Sequence, residues 1–256
     1  MPIIDTHAHL NQIEEVEQVL REAATAELES IVAVSEDLAS SQRNLELSRQ
    51  FSAPKIFVAM GLHPGKVAAD NIEPCLQFVA QHIRDIQAIG ETGLDFWYPA
   101  VRDNDTQKGL QRESFGRHLE LARTYNLPVV IHSRGAWRES LDMARDAGVV
   151  QAVFHWYSGP VDVLKDILSA GYLISASPSL AYSRQLRDAV RQAPVTQTLI
   201  ETDCPVFYRL PTGNGFVAAP KDVWRTLQAY AEIKNVVPEQ VVSVLNQNAR
   251  DFFRLQ

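Results

Sequence analysis

A chain of 256 residues with 46% hydrophobic content is long enough to bury a sizeable core in one or two domains. Its net charge of −7 excludes a broad basic surface that grips nucleic acid by counterion release, and two cysteines, Cys75 and Cys204, exclude a disulfide framework. No stretch approaches the roughly 20 apolar residues of a membrane span. Residues 1–5 carry neither a basic region nor a signal-like apolar run, so a cytoplasmic location is expected.

Taken in order, short apolar runs alternate with helical patterns. The strand candidates are residues 3–6, 30–34, 56–60, 87–90, 128–131, 152–154, 172–175 and 198–200. Between them, Val16, Val19, Leu20, Ala23 and Ala24 make one helical stripe. Ile72, Cys75, Leu76, Val79, Ala80 and Ile83 make another. Gly148 and Gly171 fall where helices should end in left-handed caps. Eight strands alternating with helices predict an α/β fold, a closed (β/α)₈ barrel in a single domain over residues 1–256, with a doubly wound open sheet as the alternative.

In such a barrel the site lies at the C-terminal ends of the strands. His7 and His9 follow the first strand and, by strand alternation, project the same way. The third strand leads into Gly61-Leu62-His63-Pro64 and the fourth into Gly90-Glu91-Thr92-Gly93-Leu94-Asp95. The fifth runs to His132-Ser133-Arg134, the sixth to His155-Trp156-Tyr157, and the eighth to Glu201-Thr202-Asp203-Cys204-Pro205. Five of the seven histidines therefore sit at strand ends, whereas His82 and His118 lie in helical patterns that suit surface or packing roles. Buried carboxylates are costly unless paired or bound to a cation. His7, His9, Glu91, His132, His155 and Asp203 thus form a candidate ligand set, enough for two divalent ions if a carboxylate bridges. Such donors suit Zn²⁺ or Mn²⁺ and admit Mg²⁺.

With these residues assembled, the chain resembles the TatD family of metal-dependent hydrolases, a branch of the amidohydrolase-like barrels. The matching stretches are 5–10, 61–64, 90–95, 127–134, 154–159 and 199–205, with 245–253 similar to the family's closing helix. The resemblance implies a two-metal centre that hydrolyses phosphodiesters, usually as a DNase of exonuclease type. It implies one ion on His7, His9 and Asp203, the other on His132 and His155, and Glu91 between them. Two departures bear on the substrate. Trp156-Tyr157 stands where many relatives have Cys-Phe, and the run 214–221 lacks their Arg-Asn-Glu-Pro stretch.

Other residues have two readings each. Asp5 and Glu201 either orient ligands from one layer deeper or are satisfied elsewhere. His63 either contacts substrate or leaving group, or stabilises its turn. Arg134 either grips a phosphate or forms a surface ion pair. Trp97, Tyr98, Trp156 and Tyr157 either stack bases or pack the rim. Asp95 is expected to tie down the Gly93 turn, and Cys204 to be a small buried residue.

The expected function is hydrolysis of phosphodiesters, most simply a 3′–5′ exonuclease acting on single-stranded or frayed DNA ends, with Asp203 accepting a proton and Glu91 bridging. The loops after the ligand strands add Lys66, Arg102, Lys108, Arg134, Arg138, Arg209 and Lys221, opposed by Asp103 and Asp105. Alternatives on the same centre are a small-molecule phosphoesterase, esterase, lactonase or amide hydrolase. One of another class is a metal-stabilised binding protein without turnover. No membrane association and no protein partner is indicated.

Overall fold

The computed structural model describes residues 2–210 and 213–255. Eight parallel strands follow one another around a barrel: β1 (Ile3–Ala8), β2 (Leu28–Val34), β3 (Lys55–Met60), β4 (Ala88–Asp95), β5 (Val129–Arg134), β6 (Ala152–Phe154), β7 (Leu173–Ala176) and β8 (Thr198–Ile200). The barrel closes just past β8, where Asp203 N donates to His7 O at 2.9 Å and His9 N to Cys204 O at 2.8 Å. That closure rules out the open doubly wound sheet.

The helices between strands are α1 (Val16–Thr25), α2 (Leu38–Gln50), α3 (Ile72–Gln81), α4 (Pro99–Arg102), α5 (Asp105–Tyr125), α6 (Trp137–Asp146), α7 (Val161–Ser169) and α8 (Arg184–Gln192). Their ends follow local chemistry. Asp37 accepts from Ser40 N at 2.8 Å in a capping box that starts α2. Gly148 and Gly171, at φ +72° and +80°, end α6 and α7 as the sequence predicts. Among the described residues no helix is long and apolar enough to cross a membrane.

Inside the barrel, Ile4, Val32, Val34, Phe57, Ala59, Ala88, Val130, Val153 and Leu199 form the core. The end opposite the site is plugged by Phe252 and Phe253 of the last helix, α10 (Pro238–Phe253), which follows α9 (Val223–Lys234). Asn246 and Asn248 stitch α10 to the barrel: Asn246 Oδ1 accepts from Ile4 N at 3.1 Å, and Asn248 Nδ2 donates to Thr198 O at 2.9 Å. Truncating either phenylalanine to alanine would cost about 3–5 kcal/mol. After β8 comes a short hairpin, β9 (Phe207–Arg209) with β10 (Gly215–Val217), whose second strand falls in the run 214–221.

Candidate metal centre

Two of the ligand strands break regular alternation, and the break places the ligands. In β1, Ile4 faces the barrel interior, Ile3 and Ala8 face the surrounding helices, and the register slips between Asp5 and Ala8. The extra residue re-aims His7 and His9 into the mouth, as bulges do beside active sites. In β4, Ala88 faces inward and Ile89 outward, and the register slips again between Ile89 and Thr92, turning Glu91 inward. Gly90 and Gly93 allow this, at φ +150° and +144°. A Cβ on Gly93 would stand 2.0 Å from His132 O. Strands β5 and β6 keep strict alternation, so Val130 and Val153 inside the barrel lead directly to His132 and His155. Past β8, Asp203 completes the ring in a left-handed conformation, φ +52°.

The donors divide around Glu91. Its Oε2 lies 3.3 Å from His7 Nε2 and 3.5 Å from His9 Nε2, and Asp203 Oδ1 lies 3.5 and 3.2 Å from the same two nitrogens. Its Oε1 lies 2.8 Å from both His132 Nδ1 and His155 Nε2. Four donors at about 2.1 Å around a tetrahedral ion stand roughly 3.4 Å apart, close to the separations among His7, His9, Glu91 Oε2 and Asp203, whereas the contacts of Oε1 are hydrogen-bond lengths. Both nitrogens of His7 and Nδ1 of His9 are buried without a hydrogen-bond partner among the described residues. Of these, His7 Nε2 faces Glu91 and Asp203, and a buried, unpaired imidazole nitrogen converging on two carboxylates fits a divalent metal ion.

Outer partners fix the tautomers. His132 donates from Nε2 to Asp95 Oδ2 at 2.9 Å, leaving Nδ1 for the centre. His155 Nδ1 lies 3.4 Å from Glu201 Oε1, leaving Nε2 for the centre, and Glu201 is itself held by the Ser175 hydroxyl. Burial alone would depress these imidazoles. The carboxylates outweigh it: Glu91 and Glu201 hold His155 well above its ordinary value, Asp95 and Glu91 raise His132, and Asp203 and Glu91 bring His9 to about 9. Burial would likewise raise Glu91, yet the surrounding imidazoles pull it well below the usual carboxylate range, and His9 and His7 lower Asp203.

Two expectations are refined. Asp95 does more than hold a turn: it orients His132 and also accepts from Arg134 Nε at 2.8 Å. Asp5 does not share a face with His7, because the bulge lies between them. Its carboxylate accepts from the His7 and Thr202 amides and the Thr202 hydroxyl, tying β1 to the β8 exit.

Above the centre opens a cavity of about 600 Å³. His63, Trp97, Tyr98, Arg134 and Trp156 line it, with Glu36, Ser179, Tyr182 and Gln185, which lie outside the residues expected there. The Arg134 guanidinium lies 4.8 Å over the Tyr98 ring. His63 accepts from Gly65 N at Nδ1 (3.0 Å), so its proton sits on Nε2, 3.2 Å from His132 Nδ1; burial pushes its pKa down to about 3, keeping it neutral. Tyr157 is not brought to the cavity. It is 1% exposed, and its hydroxyl donates to Pro160 O at 2.7 Å. The left-handed Trp156, φ +41°, swings the chain so that Tyr157 returns to the core. Of the seven cations expected near the mouth, only Arg134 lines the cavity. Arg138 pairs with Asp166 at 2.7 Å, Lys108 with Asp105 at 3.7 Å, and Lys221 with Glu22. His118 is buried on α5 and donates to Ser114 O, and Cys204 is buried in the outer core.

A parallel barrel whose strand ends gather four imidazoles and two carboxylates defines a metal-dependent hydrolase. The chain belongs to the TatD related DNase family, whose model matches residues 4–254. It is 32% identical to the uncharacterized metal-dependent hydrolase TatD of Mycobacterium tuberculosis (strain ATCC 25618 / H37Rv), over 99% of this chain and 98% of that protein. With the Homo sapiens deoxyribonuclease TATDN3 it shares 28% identity over 98% of this chain and 94% of the other. The crystal structure of YJJV, a TatD homolog from Escherichia coli k12, superposes with a TM-score of 0.86 at 25% identity, covering 99% of this chain and 98% of that one.

Proposed function

We propose that this hydrolase carries two divalent ions and removes nucleotides from the end of a DNA strand, as an exonuclease of 3′–5′ type. The observation that carries this reading is the division of Glu91, one oxygen among His7 and His9 and the other among His132 and His155. The deoxyribonuclease names of the family and of the human relative support DNA as substrate.

Divalent ions, Zn²⁺ or Mn²⁺ by donor type, supply a water of lowered pKa and offset charge on phosphoryl oxygens when bound. The side chains do the rest. Asp203, kept ionised by its imidazole neighbours, accepts the proton of the attacking water. Neutral His63 offers its Nε2–H to a substrate or leaving oxygen. Arg134, fixed through Nε by Asp95, presents its remaining N–H groups to a phosphate. Trp97, Tyr98 and Trp156 offer ring faces to bases. With one cation in the cavity besides the centre, few phosphates are neutralised, so affinity falls only shallowly with salt, by roughly 0.7–0.9 in log–log slope per phosphate.

The test compares linear single-stranded DNA, labelled at either end, with a closed circle of the same sequence, using protein loaded with each metal. Shortening from the 3′ end with the circle intact, and two ions per chain by elemental analysis, is the expected result. Equal degradation of the circle defeats end recognition. Hydrolysis of a small ester or lactone with DNA untouched assigns the centre to small-molecule chemistry.

A further inference from the structure

Outside the candidate ligand set, two charged side chains among the described residues line the cavity, and they stand on separate walls. Arg134 rises from β5. Glu36 follows β2, where Val32 and Val34 face the barrel interior, and strand alternation carries Glu36 to the same inner face at the mouth. Its backbone is clamped from both sides. Glu36 N donates to Ser40 Oγ at 2.9 Å, and Glu36 O accepts from His63 N at 2.9 Å. Its side chain is held as well, because the Gln12 amide donates to Oε2. Oε1 accepts from no other group among the described residues. Among the described residues no lysine or arginine lines this wall.

We infer that Glu36, steadied by Gln12, reads the free hydroxyl of the terminal nucleotide and turns away a strand that ends in phosphate. The inference rests on the nuclease reading of the site. A carboxylate oxygen without a donor is complementary to a hydroxyl, which has a proton to give. A terminal phosphate brings only acceptors and a negative charge. On a wall with no cation it meets Glu36 as a like charge, and such juxtapositions discriminate strongly. Glu91 and Asp203 differ, since divalent ions held by them and their neighbouring imidazoles would offset their charge. The cavity is thus polar in the electrical sense. The scissile phosphate belongs at the centre, the next phosphate along the strand at Arg134, and the terminal sugar with its hydroxyl at Glu36. That order admits a hydroxyl-ended strand and releases its last nucleotide with the phosphate on the 5′ side.

The experiment uses the full-length, metal-loaded protein and two 5′-labelled single-stranded oligonucleotides, identical except for a 3′-hydroxyl or a 3′-phosphate. The hydroxyl end is expected to be shortened about tenfold or more faster. Glu36→Gln, nearly isosteric, should bring the two rates within about threefold, chiefly by gain on the phosphate end, and Glu36→Lys should reverse the preference. Thermal melting at the wild-type temperature certifies each variant as folded. Equal rates on both ends by the wild type, or an unchanged ratio in folded Glu36→Gln, overturns the inference and leaves the nuclease standing. Failure to shorten either oligonucleotide while a small ester is hydrolysed overturns the nuclease reading, and this inference with it.

Discussion

The floor of the cavity and its rim are built on different principles. Floor residues sit on strands or within a few residues of their ends, and three of them have a further hydrogen bond that fixes them: His132 to Asp95, His155 to Glu201, and the Asp203 backbone to His7 O. Rim residues come from loops. Trp97 is 56% exposed and Tyr182 44%, and Glu36, which continues the inward phase of β2, lies past the strand's end on a loop held by hydrogen bonds to Ser40 and His63. A strand end holds a side chain to the precision that catalysis requires, whereas loops vary what is bound without disturbing the chemistry. The floor therefore defines the reaction and the rim selects its substrate.

If that division holds, the largest effect follows from touching the floor. Asp203→Asn keeps the shape but removes the proposed proton acceptor and one carboxylate charge from the centre. Turnover should fall by about 10²–10⁴, with the melting temperature of the metal-free protein nearly unchanged. Steady-state kinetics on metal-loaded, correctly folded variant checks this. Near-normal turnover would take the proton acceptor away from the floor.

Asp95 tests where the floor ends. It touches His132 below and Arg134 above. On the two-ion proposal, Asp95→Asn should weaken metal binding at His132 by roughly 10–100-fold, the usual loss when the partner of a ligating histidine is changed. Metal titration by calorimetry reads it directly. A loss confined to KM, with metal affinity intact, would make Asp95 a rim residue that acts only through Arg134.

The same division explains what the sequence disclosed. His132, His155 and Asp203 lie on or just past strands whose alternation is regular, so their inward placement was readable from spacing, and the structure brings them together with His7, His9 and Glu91. The slips in β1 and β4 were not readable, because an extra residue leaves no mark on a pattern only six or eight residues long. The run 90–95 reads as a turn, with glycines at 90 and 93, yet β4 continues through it to Asp95, which hid the bond from Asp95 to His132. On the rim, Tyr157 was misplaced because one left-handed residue, Trp156, redirects the chain. Glu36 did carry a signal, since it continues the inward phase of Val32 and Val34. Tyr182 and Gln185 carried none.

A smaller effect is expected from the rim itself. Trp156 lines the cavity and packs beside Tyr208 at 5.5 Å between ring centroids. Trp156→Ala should raise KM by roughly tenfold, corresponding to the lower part of the range for base stacking, with little change in kcat. A fall in kcat as large as that of Asp203→Asn would show that the aromatic wall positions the reacting phosphate and would erase the distinction between rim and floor.

The smallest effect on turnover, none, is expected from His118, and it isolates what distinguishes the floor from ordinary burial. His118 is as buried as His7, but no carboxylate faces it. It donates from Nδ1 to Ser114 O at 2.7 Å, and Nε2 has no partner among the described residues. Burial, unopposed by acid, pushes its pKa down to about 4, whereas His9 beside Asp203 and Glu91 goes the other way. The unfolded chain takes up this proton near pH 6.5 and the folded chain only near 4. The associated stability is therefore fully present above pH 6.5. It is lost as pH falls from 6.5 to 4, by about 1.4 kcal/mol per unit and roughly 3 kcal/mol in all. His118→Phe removes the titrating group and places an apolar ring where a nitrogen lacked a partner. Urea unfolding of metal-free protein at pH 7 and pH 5 should show the variant losing about 2 kcal/mol less than wild type between the two, with turnover at pH 7 unchanged. Parallel losses in both proteins would mean that His118 is protonated in the fold, and that burial without a carboxylate does not suffice to keep an imidazole neutral here.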